Sequence, residues 1–145
     1  MSRRSVLSIG LIFLALSPEC SCIWDLGPQD KRILLEYQFT QGWTGIVTSI
    51  VISEDYLAIG YSTDSTFAVQ FNHRDMGALD RLLAEFSSFK RYYHLQGRIW
   101  YDIPTHSLIH HSYARSDTVT ILEPLDSPDI PAVLRNGVTT LESKL

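Results

Sequence analysis

Phe67-Ala68-Val69-Gln70-Phe71-Asn72-His73-Arg74-Asp75-Met76-Gly77-Ala78-Leu79-Asp80-Arg81-Leu82-Leu83-Ala84-Glu85-Phe86 contains a change of period. Phe67, Val69 and Phe71 alternate with smaller or polar residues, the spacing of a strand with one face on a core. From Met76 onward the apolar residues are Met76, Leu79, Leu82, Leu83 and Phe86, with Asp80, Arg81 and Glu85 opposite. That is an amphipathic helix of roughly four turns whose apolar stripe must cover a sheet. Asn72 stands at its start as an N-cap, and Asp75, three residues on, suits the positive end of the first turn.

Upstream of this stretch the period is two. Ile33, Leu35, Tyr37 and Phe39 define one strand; Ile46, Ile50 and Ile52 define a second, with Val47 and Val51 on its other face. Leu57, Ile59 and Tyr61 alternate in a third. The breaks between them are Thr40-Gln41-Gly42-Trp43-Thr44-Gly45, Ser53-Glu54-Asp55 and Thr63-Asp64-Ser65, so the four strands read as an antiparallel meander.

Downstream, Tyr92, Tyr93, His94 and Gly97 read as a connector. Ile99, Tyr101 and Ile103 alternate as a further strand, with two more over residues 108–113 and 119–122. Turns are expected at Pro104-Thr105 and at Arg115-Ser116-Asp117. Asp126-Ser127-Pro128 places a cap before a proline, which starts a second helix there, with Leu134, Val138, Leu141 and Leu145 as its stripe. Gly137 costs that helix about 1 kcal/mol against alanine. The order ββββ-α-βββ-α, with strands and helices in runs, means an α+β fold with two helices packed on antiparallel sheet.

The chain has 145 residues and a net charge of −4. Its first 22 residues look like a targeting segment: Arg3 and Arg4 precede an apolar run over 6–16, followed by Ser17, Pro18 and Ser21. This is the layout of a secretory signal, and it is too short to cross a bilayer as a permanent helix. Export to the periplasm, cell envelope or exterior is the expectation. Ser2-Arg3-Arg4-Ser5-Val6-Leu7 is similar to a twin-arginine signal. Cys22, preceded by Ser21, is the candidate lipidation site; cleavage just after Cys22 satisfies the small-residue rule equally well. Residues 23–30, with Gly27 and Pro28, read as a tether before a single domain over 31–145.

Removing residues 1–22 takes away two arginines and one glutamate, leaving 10 basic and 15 acidic residues and a net charge of −5. A mildly acidic domain with no Lys/Arg cluster argues against nucleic acid or anionic lipid as partner, so membrane contact is expected only through a lipid anchor. Both cysteines, Cys20 and Cys22, fall in the signal region, and the domain must be held by packing rather than by a disulfide.

The polar residues form no expected catalytic, metal or cofactor site. His110 and His111 are neighbours on a strand and face opposite ways, and His106 lies about 13 Å from His110 along it. A tight hairpin at Pro104-Thr105 sets Asp102 opposite Ser107 and Arg98 opposite His111. The tempting Asp102, Ser107 and His111 triad then fails, because four residues of strand hold Ser107 about 13 Å from His111 and the chemistry needs about 3 Å. His73-Arg74-Asp75 spells a kinase tripeptide without any companion motif. The paired carboxylates Glu54-Asp55, Asp75 and Asp80, and Asp126 and Asp129 sit at turns and helix starts, where capping and the helix dipole account for them.

Two features stand outside this explanation. Trp100 lies on the strand face opposite Ile99, Tyr101 and Ile103. Gln41-Gly42-Trp43-Thr44-Gly45 sets a large aromatic between glycines, either as a lid on the core or as a contact for a partner.

Three stretches together carry a family resemblance: Gly42-Trp43-Thr44-Gly45-Ile46 after the first strand, Ile99-Trp100-Tyr101-Asp102-Ile103 after the helix, and Val119 through Pro128 to Leu141. In this order they resemble the emfourin family, small bacterial protein inhibitors of thermolysin-like metalloproteases, and related exported proteins. The chain departs from that pattern in its signal segment and at Gln41. The resemblance implies a non-catalytic binding module without cofactor, with a protein partner (a metalloprotease) met by Gln41, Gly42, Trp43, Thr44 and Gly45.

Overall fold

The computed structural model describes residues 32–94 and 104–145. It is an α+β structure with one seven-stranded sheet and two helices. The strands are β1 (Ile33–Gln41), β2 (Ile46–Ser53), β3 (Ala58–Ser62), β4 (Ser65–Val69), β5 (Tyr92–His94), β6 (Thr105–His111) and β7 (Ser116–Leu122). The helices are α1 (His73–Glu85), between β4 and β5, and α2 (Ala132–Glu142), after β7. The spatial order is β4-β3-β2-β1-β6-β7-β5.

Hydrophobic alternation decides which way β1, β6 and β7 face, but β3 is inverted against expectation: Ala58 and Gly60 lie on the core and the apolar Leu57, Ile59 and Tyr61 on the open side. Register aligns Tyr37 with Ile50 on one side and Leu108 on the other. These join Leu35, Ile52, Val119 and Ile121 on a single face, all essentially buried. Leu79 and Leu82 of α1 and Leu134, Val138 and Leu141 of α2 close over that face to form the core. The opposite face presents Glu36, Gln38, Ser49, Ser107 and Thr120, and none of these is fully buried. Both described helices therefore cover the same side of the sheet.

The expected start of α1 is present. Asn72 Oδ1 accepts from the Asp75 amide at 2.9 Å and Asp75 Oδ2 accepts from the Asn72 amide at 3.0 Å, a reciprocal capping box. Lys144 Nζ lies 2.7 Å from the same Asp75 carboxylate. That ion pair, followed by the amide, holds the Asp75 pKa below its usual value. The β2–β3 turn is also tied to α1. Tyr56 adopts a left-handed backbone (φ 62°), and its hydroxyl donates to the Asp80 carboxylate. Burial and that hydrogen bond raise the phenol pKa to about 12.

The two glycines of the helices have opposite roles. A Cβ on Gly137 would stand 2.8–3.1 Å from the Leu82 side chain, so the close approach of α2 to α1 requires glycine there. Around Gly77 a Cβ would meet nothing within 4 Å. Gly77→Ala is therefore expected to stabilise the protein by about 0.5–1 kcal/mol through helix propensity. A higher urea midpoint with an unchanged slope is the result to look for.

Several expectations are corrected. The sheet is mixed: the segment read as a connector contains β5, and Tyr92, Tyr93 and His94 pair in parallel with Thr120, Ile121 and Leu122. Their partners lie 28 positions away, a pairing that no local period reveals. Thr105 does not turn but opens β6 opposite Thr40. Both edges of β6 are occupied, by β1 and by β7, which leaves none for the hairpin expected at Pro104-Thr105. The second helix begins at Ala132, not near Pro128; its N-cap position is Pro131. Turns at Ser127 and Ile130, whose amides donate to Pro124 O and Ser127 O, fill the interval. The strand expected over 99–103, with Trp100 and Asp102, lies outside the described residues, as do Arg98, the signal segment, Cys20, Cys22 and the tether.

Candidate functional site

The Gln41–Gly45 stretch forms the tip of the β1–β2 hairpin, where pairing runs out to Gln41 opposite Ile46. Gly42, Trp43 and Thr44 make one turn of 3-10 helix, and Gly45 closes it in the left-handed region (φ 61°, ψ 10°). The turn is fixed by its own hydrogen bonds. Gly45 N–H donates to Gln41 O at 3.2 Å, and Thr44 Oγ1 donates to the same oxygen at 3.0 Å. The Ile46 amide in turn donates to Thr44 Oγ1 at 3.4 Å. Of Trp43 only the backbone is described. Beside it Ile46 and Val47 are 44% and 47% exposed, one on each face of the hairpin. A short rigid tip with apolar residues in solvent is suited to contact and has no group able to do acid–base chemistry.

Two histidine arrangements were not legible in the chain. On the helix-covered face His106, 4% exposed, has its Nδ1 2.8 Å from Tyr37 Oη, with its ring parallel to that of Tyr37 and tilted against Phe39. Burial pushes its pKa down to about 4 and pushes that of Tyr37 up. This is a neutral polar pair satisfied inside the core, and its position follows from β1–β6 register. On the open face His111 Nε2 lies 2.9 Å from Glu36 Oε1, and Nδ1 lies 2.8 Å from Ser116 Oγ. Ser107, rejected above as a partner of His111, sits between Gln38 and Thr120, while Glu36 and Ser116 flank His111.

The Ser116–His111–Glu36 chain has the connectivity of a nucleophile, a base and an orienting carboxylate. Its surroundings are wrong for acyl transfer. The His111 and Glu36 side chains are 28% and 25% exposed and Ser116 is exposed at a hairpin end, so charge developing on a substrate oxygen would be screened by water. The arrangement ties β6, β7 and β1 together on the solvent face. Arg32 extends the same edge, donating to His111 O at 3.2 Å with its guanidinium 3.4 Å from the Tyr113 ring centroid.

A groove of about 750 Å³ separates the start of α1 from α2, with Arg74, Gly77 and Arg81 on one wall and Asn136 and Thr139 on the other. Among the described residues no three His, Cys, Asp or Glu side chains gather closely enough to hold a metal ion. No described helix is long and apolar enough to cross a membrane. Comparisons with models of known protein families, with curated proteins and with solved structures returned no match.

Proposed function

We propose that this chain is an exported, non-catalytic protein-recognition module that engages its partner through the β1–β2 tip, Gln41 to Gly45, with Ile46 and Val47. The observation that carries the reading is the conformation of that tip. Five residues are held by local hydrogen bonds around a left-handed glycine while the flanking apolar side chains face solvent. A preorganised loop loses little entropy on docking, and exposed aliphatic area beside a tryptophan supplies contact energy.

The likeness of Gly42-Trp43-Thr44-Gly45-Ile46 to the emfourin loop names the partner class: a thermolysin-like metalloprotease. The test is titration of a panel of such proteases with the protein, following peptide hydrolysis and complex formation by gel filtration. Inhibition is expected at micromolar concentration or below, weakened at least tenfold by Trp43→Ala and by Gly45→Val. Gly45→Val acts through the backbone alone, because a Cβ there meets nothing but must hold φ near 61°. Full protease activity and no complex at tens of micromolar would remove the inhibitor reading. A lipid on Cys22 would tether the module to the envelope; an intact mass from membranes matching an unmodified Ile23 start would exclude it.

A further inference from the structure

We infer that the protein self-associates through β4, two copies pairing antiparallel about a twofold axis at Phe67 to form one continuous sheet. Strand β4 ends the described sheet. Its hairpin with β3 closes at the Ser62–Ser65 pair over a two-residue turn, Thr63-Asp64. Pairs alternate outward from that closure, so Ser65, Phe67 and Val69 bond to β3 while Thr66 and Ala68 direct N–H and C=O to the edge that no described strand occupies. A row of this kind is a template for another strand unless something guards it.

The two ends of the sheet differ in that protection. β5, at the other end of the described sheet, follows Lys90 and Arg91, charges of the kind that protect an edge. β4 has five residues, Ser65-Thr66-Phe67-Ala68-Val69, with no charge, no proline and an unbroken register along β3. Its core-facing aromatic does not block the approach: the Phe67 ring lies inward over Gly60, where a Cβ would overlap it.

The same five residues complement themselves. Centring the pairing on Phe67 sets Thr66 opposite Ala68 of the second copy and Ala68 opposite its Thr66. The outward groups then form four backbone hydrogen bonds. Side chains at these pairs lie on the open face beside Ile59 and Tyr61, where they are small enough to meet without a clash. Asp64, the one charge over 64–70, falls opposite Gln70 of the second copy, and the two Asp64 side chains stand about 20 Å apart. No like charges oppose, and the interface closes after two copies, as an isologous contact must.

The experiment is sedimentation equilibrium from about 1 µM to 1 mM, with amide hydrogen exchange read at both limits. The expected result is a reversible dimer with a midpoint in the range of tens to hundreds of micromolar, and Thr66 and Ala68 amides protected only at high concentration. Thr66→Lys, at an exposed position, brings a charge to each side of the twofold and should leave a folded monomer at 1 mM. Ala68→Pro, which removes an edge amide without touching the β3 ladder, should do the same. A monomer at 1 mM in the unmodified protein overturns the inference. So does a dimer that survives Thr66→Lys with the Thr66 and Ala68 amides still exchanging freely, since its interface then lies elsewhere.

Discussion

Leu82→Ala is expected to lower the stability of the protein by about 3–4 kcal/mol. Leu82 is wholly buried, and its side chain is the surface on which α2 rests at Gly137. Truncation removes the apolar area and leaves a space that two helices, each anchored to the sheet, collapse into only in part. Gly137→Ala approaches the same contact from the other side. Helix propensity favours alanine by about 1 kcal/mol. A Cβ at 2.8–3.1 Å from Leu82 forces the helices apart, however, which costs about 1–3 kcal/mol. The net change is expected to be destabilising. In the double variant the added methyl enters the space left by Leu82, so the two losses will not add, and a coupling of about 1–2 kcal/mol should appear in a urea-unfolding cycle. Strict additivity would mean that α1 and α2 do not meet at this pair.

The second large effect is acid sensitivity from His106. Burial holds its folded pKa at about 4, against an ordinary value of 6.5. Above pH 6.5 the ring is neutral in both states and contributes nothing to the pH dependence. As pH falls from 6.5 toward 4 the unfolded chain takes up a proton that the fold refuses, so stability declines, by about 3 kcal/mol once pH is below both values. His110, whose pKa burial also lowers, acts in the same direction. Asp75 acts in a different window: its depressed pKa contributes stability above the ordinary carboxylate value and loses it below. His106→Gln retains a partner for Tyr37 Oη but has nothing to titrate. The unmodified protein should lose stability between pH 6.5 and 4 much faster than this variant in parallel urea titrations. Equal slopes would place a charged or solvated imidazole at position 106.

Where the sequence could be read directly, the determinants were local. The four-strand meander follows from period-two alternation with short polar breaks, and α1 follows from its stripe and the Asn72–Asp75 box, since each signal lies within a few residues of the element it specifies. The expected cost of Gly137 was visible, but its cause, the Leu82 side chain, lies 55 positions away. The partners of His111 could not be read because Glu36 lies 75 residues away across a strand pair, and Ser116 becomes a neighbour only when β6 turns into β7. The false hairpin at Pro104-Thr105 arose from the same source. Alternation shows that a segment is a strand and which side chains share a face, but it carries no information about which strand lies alongside.

Sequence alone, through periodicity, caps and turn residues, determined that this chain makes a β-meander, an amphipathic helix and more strand, with a glycine-flanked break between the first two strands. Strand order, the parallel placement of Tyr92–His94, the start of α2 at Ala132, the dry Tyr37–His106 pair and the place of β4 at the end of the described sheet came from the assembled sheet. The physical reason is range. Backbone preference and hydrophobic period act over a few residues, whereas pairing is settled by which long-range arrangement buries Leu35, Tyr37, Ile50, Leu108 and Ile121 together under the two helices.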